Sequence, residues 1–471
     1  MLSFEPGAVF GSRHLADIFS TAPMRTIFGE RNSLASMLLV EVALARVQAQ
    51  LGVIPTEAAA AIASAARPEL LDLDELAAGT LRAGLPIVNL VEQLIRLTGK
   101  PHGEFVHWGA TSQDIMDTAL VLQMRDALEL VHRDLERLIS AIADLARIHR
   151  DTPMVGRTKL QHAIPITFGF KVSVWLSSLL RHRQRLAELK PRVLQVQFGG
   201  AVGTFASLGD DGDRIRAALA RELGLGEPLV AWHAARDALA ETVCLLGLIS
   251  ASLSKIATDI ASMAQTEISE VLEPGGQGHG ASSTMPHKRN PIVCEQILST
   301  GLSLRRLASA MLDASVHDHE RATGPWQAEW SLLPEAFLLI SRAMDNAVRL
   351  CTGLVVRPDT MQANLGRTKG LIAAEAVMMA LAPHVGRHHA HEMVSTACTH
   401  AIASGLTLAE SVSRDPAVTA HVAPHEIEKA ADPARYVGLS GREVDRVLAA
   451  CADRPASAVP EASPLTRSLS T

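Results

Sequence analysis

Aromatic side chains are scarce in this chain, at 3% of 471 residues with a single tyrosine. Leu, Ala, Ile and Val must therefore build the core of a sequence that is 48% hydrophobic, and such residues suit helix-on-helix packing. Cysteine is sparse as well: Cys244, Cys294, Cys351, Cys398 and Cys451 lie far apart, with no CxxC pair. An odd number of dispersed thiols argues against a disulfide framework and fits a reducing, cytoplasmic compartment. No uninterrupted apolar run reaches the roughly 18 residues of a membrane-spanning helix. The N-terminal MLSFEPGAVFGSRH lacks the charged start and apolar block of a secretory signal. Excess positive charge is missing too. A net charge of −6 without a basic stripe argues against nucleic acid as a partner.

Glycine and proline are absent from Gln113 to Thr152. Apolar residues recur there in steps of three and four: Ile115, Ala119, Leu122, Leu128, Val131, Leu135, Leu138, Ile142 and Leu145. The spacing predicts one helix of about 40 residues, roughly 60 Å long. Similar patterns cover about 167–190, 234–272, 291–315 and 330–350. Five long antiparallel helices predict an all-α bundle over 106–355, and no strand pattern competes with them. Residues 1–105 read as a domain of shorter helices. Leu34 to Leu51 has helical spacing, Gly52 ends it, and Pro55-Thr56-Glu57 begins the next. A small helical domain is expected over 356–452. Its GRHHAHEMV segment puts His388 and His391 three apart on one face, but no carboxylate or thiol completes a metal site, so they read as surface or packing histidines. Residues 453–471, rich in Pro, Ser, Ala and Thr, predict a disordered tail.

Three polar stretches interrupt this scaffold. PGGQGHGASSTMPHKRNP, Pro274 to Pro291, has Gly275, Gly276, Gly278 and Gly280 to let its backbone approach a ligand. It then packs Ser282, Ser283, Thr284, His287, Lys288, Arg289 and Asn290 between two helical patterns, where a binding or catalytic role outweighs a mere connector. Gly109-Ala110-Thr111-Ser112-Gln113-Asp114 stands at the start of the first long helix. Thr111 or Ser112 can cap that helix, and its N-terminus can receive an anion. The third stretch, GRTKLQHAIP from Gly156 to Pro165, is expected to open the second long helix.

SSTMPHKRNP resembles the signature loop of the fumarase/aspartase superfamily, and the three stretches follow in order over about residues 15–450. FSTAPMRTIFGERNSLASMLLVEVALARVQAQLG is similar to the branch of 3-carboxy-cis,cis-muconate cycloisomerases and adenylosuccinate lyases, and His319-Glu320-Arg321 and WQAEW (Trp326 to Trp330) resemble the cycloisomerases in particular. The resemblance implies three helical domains around the bundle, no metal or organic cofactor, and a small dicarboxylate substrate. It also implies a homotetramer in which each active site draws the three stretches from different subunits. It assigns the base to Ser282 and the stabilisation of the developing dianion to Lys288, Asn290 and loop N–H groups. A serine base needs positive charge nearby, which Lys288 and a helix N-terminus can supply. Thr111 and Ser112 correspond to the pair that holds a substrate carboxylate. Thr158 and Gln161 fall in the second motif, and Gln197–Gly203 and Gln265-Thr266-Glu267 in segments that line the cleft. His107 matches the family's pattern, and Arg321 suits a carboxylate clamp because a guanidinium forks onto two oxygens.

The departures carry information. Ile18-Phe19 stands where adenylosuccinate lyases have the Arg-Tyr pair that holds a nucleotide phosphate. Lys159 stands where most of the superfamily has a leaving-group histidine and where cycloisomerases have an apolar residue. Glu295, thirteen residues after Ser282, matches the glutamate that supports that histidine and that cycloisomerases lack. A Lys159–Glu295 ion pair is expected, with His162 as a second candidate acid or base. The resulting expectation is a lyase that eliminates an amine or nitrite from a β-substituted succinate. The alternative is a 3-carboxy-cis,cis-muconate cycloisomerase. A non-catalytic structural relative, as lens crystallins are, is disfavoured by the intact loop.

Overall fold

A computed structural model describes residues 9–275, 280, 284, 285 and 287–452. Ser282 and the tail at 453–471 lie outside the described residues.

Helix α1 (Glu30–Gln50) turns Leu34, Leu38, Val42 and Ala45 inward, and Gly52 follows its end at φ +74. A shorter helix, Thr56–Ala65, begins after Pro55. The five long helices are α2 (Ser112–Ile148), α3 (Phe168–Val193), α4 (Asp237–Met263), α5 (Ile292–Ala314) and α6 (Pro325–Thr352). Along α2 the residues of the stripe, from Ile115 to Ile142, are buried as their spacing predicts. The stripes face one another, with α4 on α5, α5 on α6, α6 on α2 and α2 on α3. By length and composition α4 could cross a membrane, yet most of its apolar stretch is buried among its bundle neighbours.

One continuous core runs from Met24 to Met361 and takes in Val444 of the last helix, Ser440–Ala452, which returns to pack on α2 and α3. A second core, Val377 to Ala431, is built by the shorter helices that follow the bundle.

Residues 156–165 do not open a helix. Instead β1 (Pro153–Thr158) and β2 (Gln161–Thr167) form an antiparallel hairpin, and α3 starts only at Phe168, where Thr167 Oγ1 accepts from the Phe170 N–H at 3.1 Å. Val155, Thr158, Ile164, Ile166 and Thr167 are β-branched and suit extended backbone. The register slips at Gly156, where a Cβ would lie 2.4 Å from the Ile164 carbonyl oxygen. Val155 packs with Leu365 and Ile372, which fastens the hairpin to the chain beyond α6. A second two-stranded pair, β3 (Val271–Leu272) with β4 (Val355–Val356), holds the stem of the 274–291 loop beside the end of α6.

Candidate active site

Thr111 is the N-cap of α2, and its N–H donates to the Asp114 carboxylate at 3.0 Å. Asp114 is fully buried and accepts three further hydrogen bonds. Gly199 N–H lies at 3.0 Å, Gly200 N–H at 2.9 Å and His233 Nε2 at 2.8 Å. One carboxylate thus fastens the start of α2 to the QFGGAVG loop. Gly200 takes φ +73, where a side chain would be strained. Arg321 joins the same loop, its Nη2 donating to the Ala201 carbonyl at 2.8 Å. Thr111 and Ser112 are half-buried here. A helix N-terminus with a guanidinium anchored close by suits a carboxylate.

One turn into α2 lies a dry charge cluster. Arg236 donates to both Asp117 oxygens at 2.6 and 3.0 Å and to Glu329 at 3.0 Å, and all three side chains are buried. Trp326 Nε1 and Gln113 Nε2 also donate to Asp117, at 3.1 and 3.0 Å, and His317 Nε2 lies 3.2 Å from Glu329. Two carboxylates around one guanidinium leave a negative excess. Burial therefore pushes the Glu329 carboxyl up to about 7, against the pull of Arg236.

At the other end of α2 the hairpin presents Lys159 and Leu160 as a two-residue turn, at φ +51 and +64, with both side chains exposed. Positive φ at both positions makes this a type I′ turn. Thr158 and Gln161 flank it and are also exposed. Arg157 forks onto the fully buried Glu270 at 2.8 and 2.7 Å, and Asn364 adds a third donor at 2.9 Å. His162 sits opposite Arg157 in the register. Burial and then the Arg157 charge hold its imidazole below its ordinary range, with Glu270 opposing only in part.

The 274–291 loop leaves from this same end. Glu273 accepts from Val293 N–H at 3.0 Å and Cys294 N–H at 2.8 Å, so the first turn of α5 is occupied by a carboxylate of the chain itself. Asn290 donates its N–H to Gly280 at 3.0 Å, and Lys288 and Glu295 are exposed. The expected Lys159–Glu295 ion pair is not among those formed within the chain by the described residues.

The structure therefore gathers the expected site residues into two groups. Thr111, Ser112 and Arg321 stand at the start of α2. Lys159, His162, Lys288, Asn290 and Glu295 stand at its far end, where Arg157 and Glu270 tie the hairpin to the loop stem. Helix α2 has 37 residues, which is roughly 55 Å of rise. No small dicarboxylate can touch both groups of one chain.

Sequence reasoning passed over His233, Glu270 and Glu273, and gave Asp114 no role of its own. Asp114 was detectable, because an acidic residue three after Thr111 is a capping-box spacing. The others act on partners 20 to 119 residues away in sequence, and no local pattern announces them.

A family model described as lyase matches residues 19–304, and one described as adenylosuccinate lyase C-terminus matches 370–447. The chain is 45% identical to a 3-carboxy-cis,cis-muconate cycloisomerase of Pseudomonas aeruginosa over 92% of its length and 95% of the relative's. It is 41% identical to a nitrosuccinate lyase of Streptomyces davaonensis over 98% of its length and 99% of that protein's. The crystal structure of a fumarate lyase from Mesorhizobium sp. BNC1 superposes with a TM-score of 0.86 at 48% identity, covering 92% of this chain and 98% of that one. The chain belongs to the fumarase/aspartase superfamily of lyases and cycloisomerases.

Proposed function

We propose that the protein is a lyase that eliminates the substituent of an amino- or nitrosuccinate to give fumarate or a related unsaturated dicarboxylate. Removing a proton next to a carboxylate places a second negative charge on that group, and the enzyme must stabilise this dianion more than the substrate. Ser282 is the base in this reading, with Lys288 and Asn290 facing the dianion. Thr111, Ser112 and Arg321 of another copy hold a substrate carboxylate, because one chain separates them from the loop by the length of α2. Thr158 and Gln161 border the leaving group, and Lys159, with Glu295 of a second copy as counter-ion, protonates or binds it. His162 is the alternative donor. The same division of the site requires more than one copy, and the assembly in this reading is a homotetramer.

The observation that carries this reading is Lys159, a cation held out at the tip of the hairpin and exposed. An ammonium can protonate a departing amine or hold nitrite, which an apolar side chain there cannot. The overall identity to cycloisomerases favours the second reading, in which the substrate's own carboxylate adds to a muconate. Ultraviolet absorbance with aspartate, nitrosuccinate, adenylosuccinate and 3-carboxy-cis,cis-muconate separates the two. Fumarate from one succinate, with muconate untouched, is expected. Rapid loss of the muconate chromophore alone would replace the first reading with the second.

A further inference from the structure

Glu41 lies in the middle of α1, in the run LLVEVALA, and its side chain is almost wholly buried. A carboxylate in such a setting needs a partner. Its partner is His107, whose Nδ1 donates to Glu41 Oε1 at 2.6 Å. Gln48, two turns along the same face of α1, donates its Nε2 to the Trp108 carbonyl at 2.7 Å. Two buried polar side chains of α1 thus grip consecutive residues of the segment that leads into α2.

His107 is held in an uncommon state. Its φ is +59, in the left-handed region where a non-glycine residue is strained. Its carbonyl accepts from Ala110 N–H at 3.2 Å, closing the turn that delivers Thr111 and Ser112. With Nδ1 committed to Glu41, Nε2 is the ring's remaining polar atom, on a side chain that keeps 20% of its surface exposed.

We propose that Glu41 is a positioning residue, which fixes the His107 ring as a cation so that Nε2–H serves the substrate carboxylate held at Thr111 and Ser112. The inference rests on the dicarboxylate reading of the site. Two charged groups face the ring, Glu41 from α1 and Asp114 from α2. Burial alone would pull the imidazole down, but the charge and hydrogen bond of Glu41, with the charge of Asp114, outweigh it and raise it above its ordinary value. Asp114 is already engaged by four donors, so Glu41 is the group dedicated to the ring. The sign follows. The cation is present below the raised value and is lost as pH climbs through it, and removing the Glu41 charge moves that loss to lower pH.

Glu41→Gln tests this in the full-length protein, because the amide still accepts from Nδ1–H and only the charge is removed. Two readouts are needed: the His107 imidazole titration by NMR, assigned with His107→Asn, and the affinity for fumarate by calorimetry across pH. The wild type should bind fumarate at neutral pH, and Glu41→Gln should bind it about tenfold or more weakly there, with ring titration and affinity loss both moved to lower pH. His107→Asn should bind weakly and without that pH dependence, whichever residue stands at 41, which keeps the test intact if Glu41→Gln folds poorly. Equal fumarate affinity and equal pH dependence in wild type and Glu41→Gln would overturn the proposal. A wild type that binds no fumarate would instead overturn the dicarboxylate reading, a separate and recognisable result.

Discussion

At the scale of single residues, buried carboxylates decide where the functional loops sit. Asp114 satisfies three backbone N–H groups and His233 in a place water does not reach. Asp114→Ala strands those donors, and the protein should lose about 3 kcal/mol or more of stability, read as a lower urea midpoint. Stability within error of the wild type would mean that the four contacts are incidental. Glu329 gives a pH signature. Its carboxyl, raised from 4.5 to about 7, keeps its proton longer in the fold than in the unfolded chain. The native state then binds more protons between those values, so this group's contribution declines as pH rises through the window and is fully present below it. Thermal melts across that range should show the decline in the wild type and a flatter profile in Glu329→Gln, whose amide imitates the protonated acid. Parallel profiles would place the titration elsewhere.

At the scale of elements, the long helices were legible and the hairpin was not. Steps of three and four apolar residues over a stretch free of glycine and proline admit one reading, and α2 buries that stripe. The hairpin gives no such signal. Its turn is Lys159-Leu160, without the Asn-Gly or Asp-Gly that marks a type I′ turn, and its strands have only six and seven residues. A leucine at φ +64 is a costly choice that local structure does not require. Leu160→Gly should therefore raise stability, by about 1 kcal/mol, seen as a higher melting temperature. Gly156→Ala should do the opposite, because its Cβ meets the Ile164 carbonyl at 2.4 Å and the hairpin must open. A neutral Gly156→Ala would show that the bulge relaxes freely. Glu270 and Glu273 were invisible for another reason: each joins parts of the chain that only the tertiary fold brings together.

At the scale of the whole molecule, the site residues read from the sequence divide between the two ends of one bundle, and that division argues for assembly. Val174 on α3, Leu248 on α4 and Leu302 and Leu312 on α5 are each about half-exposed, an unusual load of apolar side chains for the outer faces of three neighbouring helices. Sedimentation should give a mass four times the 50.3 kDa of the chain. Leu248→Glu with Leu302→Glu should lower that mass and abolish turnover together, since in the proposed site one chain supplies only part of the residues. An active monomer would break the argument from the length of α2.

In the proposed reaction Lys159 supplies the cation for a leaving group, and one comparison tests this role. Wild type and Lys159→Met are given whichever succinate the protein consumes, and fumarate release is followed by absorbance. Lys159 is exposed at a turn tip, so the variant should fold with an unchanged melting temperature while its turnover falls about a hundredfold or more. Undiminished turnover in Lys159→Met, or a protein that consumes only muconate with or without the lysine, would contradict the account.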